Sequence, residues 1–154
     1  MRASRDRDSD SVGVPTQIIL LNRQRKCQVP VTDLLAFARQ LMPLVLEVSR
    51  EKFPEEILVV LVSDRKISEI HQQFMGVSGP TDVITFRHGE IVVSVETAAR
   101  QATEYGTDLL HELRLYIAHG LLHLAGYEDH SEEGFREMAK LQGELVGKVT
   151  RAAR

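Results

Sequence analysis

The sequence is short of cysteine, of excess positive charge and of long apolar runs, and each shortage removes a class of protein. Its single cysteine, Cys27, cannot close an internal disulfide or supply a cysteine-rich zinc cluster, so any bound metal must be held by nitrogen and oxygen. The formal net charge of −3 excludes a scaffold that grips nucleic acid by charge over its whole surface, and leaves that task to a local basic patch. The longest apolar run, residues 57–62, falls far below the ~18 residues of a membrane span. At the N-terminus Arg2, Arg5 and Arg7 alternate with Asp6, Asp8 and Asp10, with no apolar segment behind them, so neither a secretory leader nor a membrane partner is expected. A cytoplasmic, reducing compartment fits this pattern best.

What is present is ordinary for a folded chain: 154 residues, 43% hydrophobic and 27% charged. That is one domain with one core. Residues 1–14 are charged and aperiodic and are expected to form a disordered tail, leaving residues 15–154 as a single domain without repeats or linkers.

Periodicity gives a coarse element order. Strands are expected at 17–21, 57–62, 81–86 and 91–95, where short β-branched runs are bounded by turn residues. Helices are expected from Thr32 to about Arg50, from Ser63 or Asp64 to Met75, from Glu96 to Tyr105, from an Asp108 cap towards Ala125, and after Ser131. Pro43 inside the first of these is expected to kink or divide it. Phe135, Met138, Leu141, Leu145, Val146 and Val149 form the core stripe of the last. The fold class that follows is α+β (α/β): a mixed sheet of about four strands packed with about five helices.

The segment His119-Gly120-Leu121-Leu122-His123-Leu124-Ala125-Gly126-Tyr127-Glu128-Asp129-His130 carries the chemistry. Residues four apart on a helix share a face, so His119 and His123 can both reach one metal ion. Gly126 ends the helix and lets the chain turn back, bringing Asp129 or His130 within reach as a third ligand. Three protein ligands with a free fourth position describe a catalytic zinc site rather than a structural one. The residue after the first histidine is Gly120, where a metallopeptidase helix carries its glutamate base, so peptide hydrolysis of that kind is disfavoured. Phosphodiester hydrolysis stays open, because a metal can supply the nucleophile and stabilise phosphoryl charge. His111, about 80° round the helix from His119, can line the same cavity or sit solvated at the helix start. His71 and His88 have no spacing partner, and Arg23, Arg25 and Lys26 fit a solvated turn that can also touch phosphate.

These residues resemble a known family. HGLLHLAGYEDH is similar to the signature H-G-x-L-H-L-x-G-Y-D-H of the YbeY endoribonucleases. Upstream, Pro80-Thr81-Asp82-Val83-Ile84-Thr85-Phe86 resembles that family's P-T-D-V-L-S-F strand, and residues 89–94 resemble the G-D-I-x-I-S strand that follows. The resemblance spans about residues 17–149. It implies a zinc-dependent endoribonuclease of single-stranded RNA, acting in ribosomal RNA processing, especially small-subunit 3′ end maturation, and in ribosome quality control. Its partners would be ribosomal RNA and the ribosome or its proteins. His119 and His123 would be catalytic and would share one zinc ion with a third ligand. The family position falls on Asp129, and a one-residue bulge would deliver His130 instead. An arginine that many relatives carry six residues before the strand threonine is Met75 here, so another cation such as Arg87 would have to meet the phosphate. A metallopeptidase with an unconventional base, or a ribosome-associated module with a structural zinc, are the competing readings.

Overall fold

In a computed structural model describing residues 16–152, the elements are β1 (Gln17–Asn22), α1 (Val31–Val48), β2 (Glu56–Val62), α2 (Asp64–Met75), β3 (Val83–Phe86), β4 (Glu90–Ser94), α3 (Val95–Tyr105), α4 (Leu109–Leu124) and α5 (Glu132–Ala152). The tail expected at 1–14 lies outside the described residues. The strands form one mixed sheet in the order β1-β2-β4-β3. β1, β2 and β4 are parallel, and β3 returns antiparallel to β4 and forms an edge. Four strands and five helices give the α+β architecture expected from the periodicity.

Alternation along the strands divides the apolar residues between two layers. One face of the sheet carries Ile57, Val59 and Leu61 of β2 with Ile91 and Val93 of β4; α1 and α4 pack against the sheet, and α5 packs on α1 and α4 to complete the main core. The other face carries Val62, Ile84 and Val92, which pack on Ile67 of α2 with the half-buried Val60, Ile70 and Phe86.

Helix starts follow side-chain caps where the sequence offers them. Ser63 Oγ accepts the Lys66 N–H, Asp108 Oδ1 accepts the His111 N–H and Ser131 Oγ accepts the Gly134 N–H, each meeting one of the unpaired donors at a helix start. Ser63 is therefore the cap of α2. Asp64 instead accepts hydrogen bonds from Ser94, Thr97 and Arg100, tying the start of α2 to the β4–α3 junction. Burial pushes the Asp64 carboxyl up, but these donors outweigh it and hold it below the usual carboxylate value.

Three expectations need correction. Pro43 does not divide α1, which is one element from Val31 to Val48, because Pro43 faces solvent while Leu34, Phe37, Ala38, Leu41, Met42 and Val45 are buried on both sides of it. Water can meet the carbonyl that loses its partner there. β3 begins at Val83 rather than Thr81, since the Asp82 carboxylate captures the Val83 N–H at 2.8 Å in a local turn. Phe135 is not in the core but 59% exposed on the first turn of α5.

α4 is the element that positions the site. It packs against α1, α3, α5 and the sheet, with Leu113, Tyr116, Ile117, Ala118, Gly120, Leu121, Leu122 and Leu124 buried. On a helix enclosed on so many sides, a buried polar side chain is costly without a partner. Glu112 takes one from the Thr107 hydroxyl and Tyr116 donates to Gln101. Of the other polar residues on α4, His111 sits in its first turn, Arg114 lies over the Phe37 ring with its Nε unpartnered, and His119 and His123 line a cleft. No helix among the described residues is long and apolar enough to cross a membrane.

Candidate metal centre

Gly120 sets how closely α4 approaches the sheet. A Cβ there would lie 2.8 and 3.0 Å from the Ile91 methyl carbons and 3.1 Å from Thr85 Oγ1, so any side chain would press the helix away from β3 and β4. The bare backbone lets His119 and His123 stand at the floor of a cleft whose opposite wall is residues 82–85. The cleft holds about 410 Å³ and is also lined by Glu51, Lys52, Met75, Arg87, Glu128, Asp129 and His130. Thr85 Oγ1, buried in that wall, has no hydrogen-bond partner.

The turn after α4 is fixed at several points. Gly126 adopts φ +98°, a conformation L side chains rarely take, and its N–H caps the His123 carbonyl. Tyr127 donates its hydroxyl to the Val48 carbonyl at 2.8 Å, and Arg50 lies over its ring at 4.1 Å while pairing with Glu137. The Arg50 N–H bonds the Ala125 carbonyl. The segment is thereby pinned to the end of α1, and Asp129 is delivered back over the histidines.

His119, His123 and Asp129 each offer a ligand atom, and these atoms lie within 4.8 Å of one another. The His119 and His123 Nε2 atoms are 3.0 Å apart, with Asp129 oxygens 3.4 Å from the first and 3.7 Å from the second. Ligands about 2.0–2.1 Å from a tetrahedral ion stand about 3.3–3.4 Å from one another, which these separations bracket. The opposite ring nitrogens are engaged: His119 Nδ1 faces Gln142 Oε1 at 3.0 Å and His123 Nδ1 faces the Tyr127 carbonyl at 3.0 Å. Each acceptor places the ring proton on Nδ1 and leaves a bare lone pair on Nε2. Two lone pairs and a carboxylate converging on one point repel unless a cation lies between them, so the donor set fits a metal ion. Burial, and next the neighbouring His119, hold the His123 pKa below the ordinary imidazole value, which keeps that lone pair free.

The other candidates stand elsewhere. His130 is 83% exposed at its side chain and pairs with Glu128 at 3.0 Å, outside the group of three. His111 sits in the first turn of α4 with its N–H on Asp108. His71 bonds the Gly79 carbonyl, and His88 lies against Glu90. Arg87 borders the cleft, 3.9 Å from Glu128. Gln142, Glu51 and Lys52 were not legible as site residues. Gln142 is 23 positions from the ring it orients, and no local pattern links them.

Comparison with known proteins places this arrangement. The family profile described as Endoribonuclease YbeY matches residues 19–150. The chain belongs to the YbeY endoribonuclease family. It is 34% identical over 109 residues to "Endoribonuclease YbeY" of Pelotomaculum thermopropionicum, covering 61% of this chain and 72% of that protein. It is 37% identical over 116 residues to the protein of the same name from Desulfitobacterium hafniense, covering 64% and 73%. A Thermotoga maritima protein whose solution structure is known superposes with a TM-score of 0.61 at 29% identity, over 88% of this chain and 93% of the other. All the cleft residues named above fall inside the span matched to the YbeY family.

Proposed function

We propose that this YbeY-family chain is a zinc-dependent endoribonuclease that cuts single-stranded RNA in ribosomal RNA processing, with small-subunit 3′ end maturation and ribosome quality control as its setting in the cytoplasm. The observation that carries the reading is the convergence of His119 Nε2, His123 Nε2 and an Asp129 carboxylate oxygen in a cleft wide enough for a nucleotide phosphate. His119, His123 and Asp129 are the metal ligands in this proposal, and His130 remains a surface residue beside them. A zinc ion, when bound, supplies Lewis-acid stabilisation of phosphoryl charge and makes water acidic enough to attack near neutral pH. Gln142 and the Tyr127 carbonyl fix the tautomer and tilt of the two rings. Lys52 and Arg87 stand at the border of the cleft, where their charges meet the phosphates flanking the cut bond.

In this reading the residue in the family arginine position, Met75, lines the same cleft and offers no charge, which leaves phosphate contact to Arg87 and Lys52. The test is zinc content together with cleavage of a single-stranded ribosomal RNA fragment by purified protein, before and after chelation. His119→Ala is expected to bind no zinc and to cleave at background rate. Cleavage retained by the metal-free variant, or casein turnover with RNA left intact, would overturn the proposal.

A further inference from the structure

Seven large hydrophobic side chains are exposed among the described residues, and three of them, Phe74, Met75 and Val77, are near-neighbours at the end of α2. Phe74 is 60% exposed. Its ring meets that of Phe86 edge to face, with centroids 5.2 Å apart and planes at 77°. His88 is stacked on Phe86 at 5.7 Å with planes 25° apart, and its side chain is 70% exposed. Three rings in contact thus form a step at the open edge of the sheet, and the two outer rings are largely exposed.

The step adjoins the metal cleft. Met75 and Arg87 line the cleft, and each is next in sequence to a ring of the step. Alternation along β3 sends Thr85 to the α4 side of the sheet and Phe86 to the α2 side, and Arg87 and His88 follow in the turn that leads to β4. β3 is the edge strand, so a chain crossing that edge from the cleft towards the rings passes Met75 and Arg87.

We propose that Phe74 and His88, held by Phe86, form a stacking platform for a nucleobase beside the scissile phosphate of single-stranded RNA. This rests on the endoribonuclease reading above and adds where the substrate's base goes. Bases of a single strand are unstacked and gain from any aromatic face, whatever their identity. Arg87 stands between the rings and the cleft, where the connecting phosphate would lie. A specific protein partner would need about 20–30 residues a side, far more than this step presents.

The test is fluorescence anisotropy of the zinc-loaded full chain with a labelled RNA single strand of about ten nucleotides, made resistant to cleavage, with abasic sites placed one position at a time. Phe74→Ala is expected to weaken binding about 5- to 100-fold, with zinc content and melting temperature unchanged because the side chain is largely exposed. Phe74→Trp should retain the affinity and Phe74→Leu should lose it. One abasic position should weaken wild-type binding by a similar factor and have no further effect on Phe74→Ala. Unchanged affinity in Phe74→Ala, full affinity in Phe74→Leu, or additive losses at every abasic position would overturn the platform while leaving the endoribonuclease reading intact. Loss of a concentration-dependent dimer in Phe74→Ala, with RNA affinity kept, would show the step to be a protein interface and also overturn it. Failure of the unchanged protein to bind or cut any RNA would overturn both.

Discussion

The two walls of the cleft are built in opposite ways. On the α4 side, both ring Nδ1 atoms are bonded, the turn is pinned to α1 through Tyr127 and Arg50, and the nearest nitrogen and oxygen atoms of the three residues stand 3.0–3.7 Å apart. On the β3 side, Met75 at the rim of the cleft and its neighbours Phe74 and Val77 outside it lie open to solvent by a sheet edge. Chemistry at a metal tolerates little displacement, and a buried helix with a supporting layer of hydrogen bonds is what the proposed zinc site would need. Recognition of a flexible single strand needs apolar area more than fixed geometry, which is what the proposed ring platform would supply.

The sharpest way to break that contrast is at neighbouring residues of the pinned turn. Asp129→Asn is expected to lower zinc affinity by more than about 100-fold, beyond the 10–100-fold typical of lost supporting partners, and to abolish RNA cleavage. His130→Ala, one position on, removes only an exposed contact with Glu128 and should change zinc affinity by no more than about twofold. Competition with a zinc chelator measures both, and the reverse ranking would move the third ligand to His130.

A smaller effect should follow at Gln142. Its replacement by leucine leaves the His119 ligand atom in place but frees the ring, and zinc affinity should fall about 10- to 100-fold. Gln142→Glu, which still accepts from Nδ1, should recover most of it. Equal zinc affinity in all three proteins would show that the ring needs no outer support.

The smallest change in metal binding is expected on the far side of the sheet. Asp64→Asn removes a carboxylate with three donors and should cost about 1–3 kcal/mol of stability at neutral pH, with zinc affinity unaltered. The folded pKa of Asp64 lies below its unfolded value, so its contribution is complete above the unfolded pKa, about 3.9, and is lost as pH falls through the lower folded value. The stability gap between wild type and variant should therefore be constant near neutrality and close in acid. Denaturation at several pH values checks this, and a gap that widened in acid would contradict the sign of the shift.

Local sequence determined a great deal of this protein. The β-branched runs at 57–62 and 91–95, the caps Ser63, Asp108 and Ser131, and the terminator Gly126 act within one or two turns of chain, so strands, helix starts and the four-residue spacing of His119 and His123 were all legible before any tertiary contact was known. The tertiary structure decided what depends on distant residues. Pro43 stays within one helix because buried residues on both sides of it pack into the main core, and Phe135 is left exposed because it stands in the first turn of α5, ahead of the buried Met138, Leu145, Val146 and Val149 of the same stripe. Asp129 rather than His130 joins the histidines because a turn pinned to α1 aims it there. Gln142, Thr85 and the ring step of Phe74, Phe86 and His88 meet their partners only across the fold, and spacing along one chain carries no signal of proximity that packing alone creates.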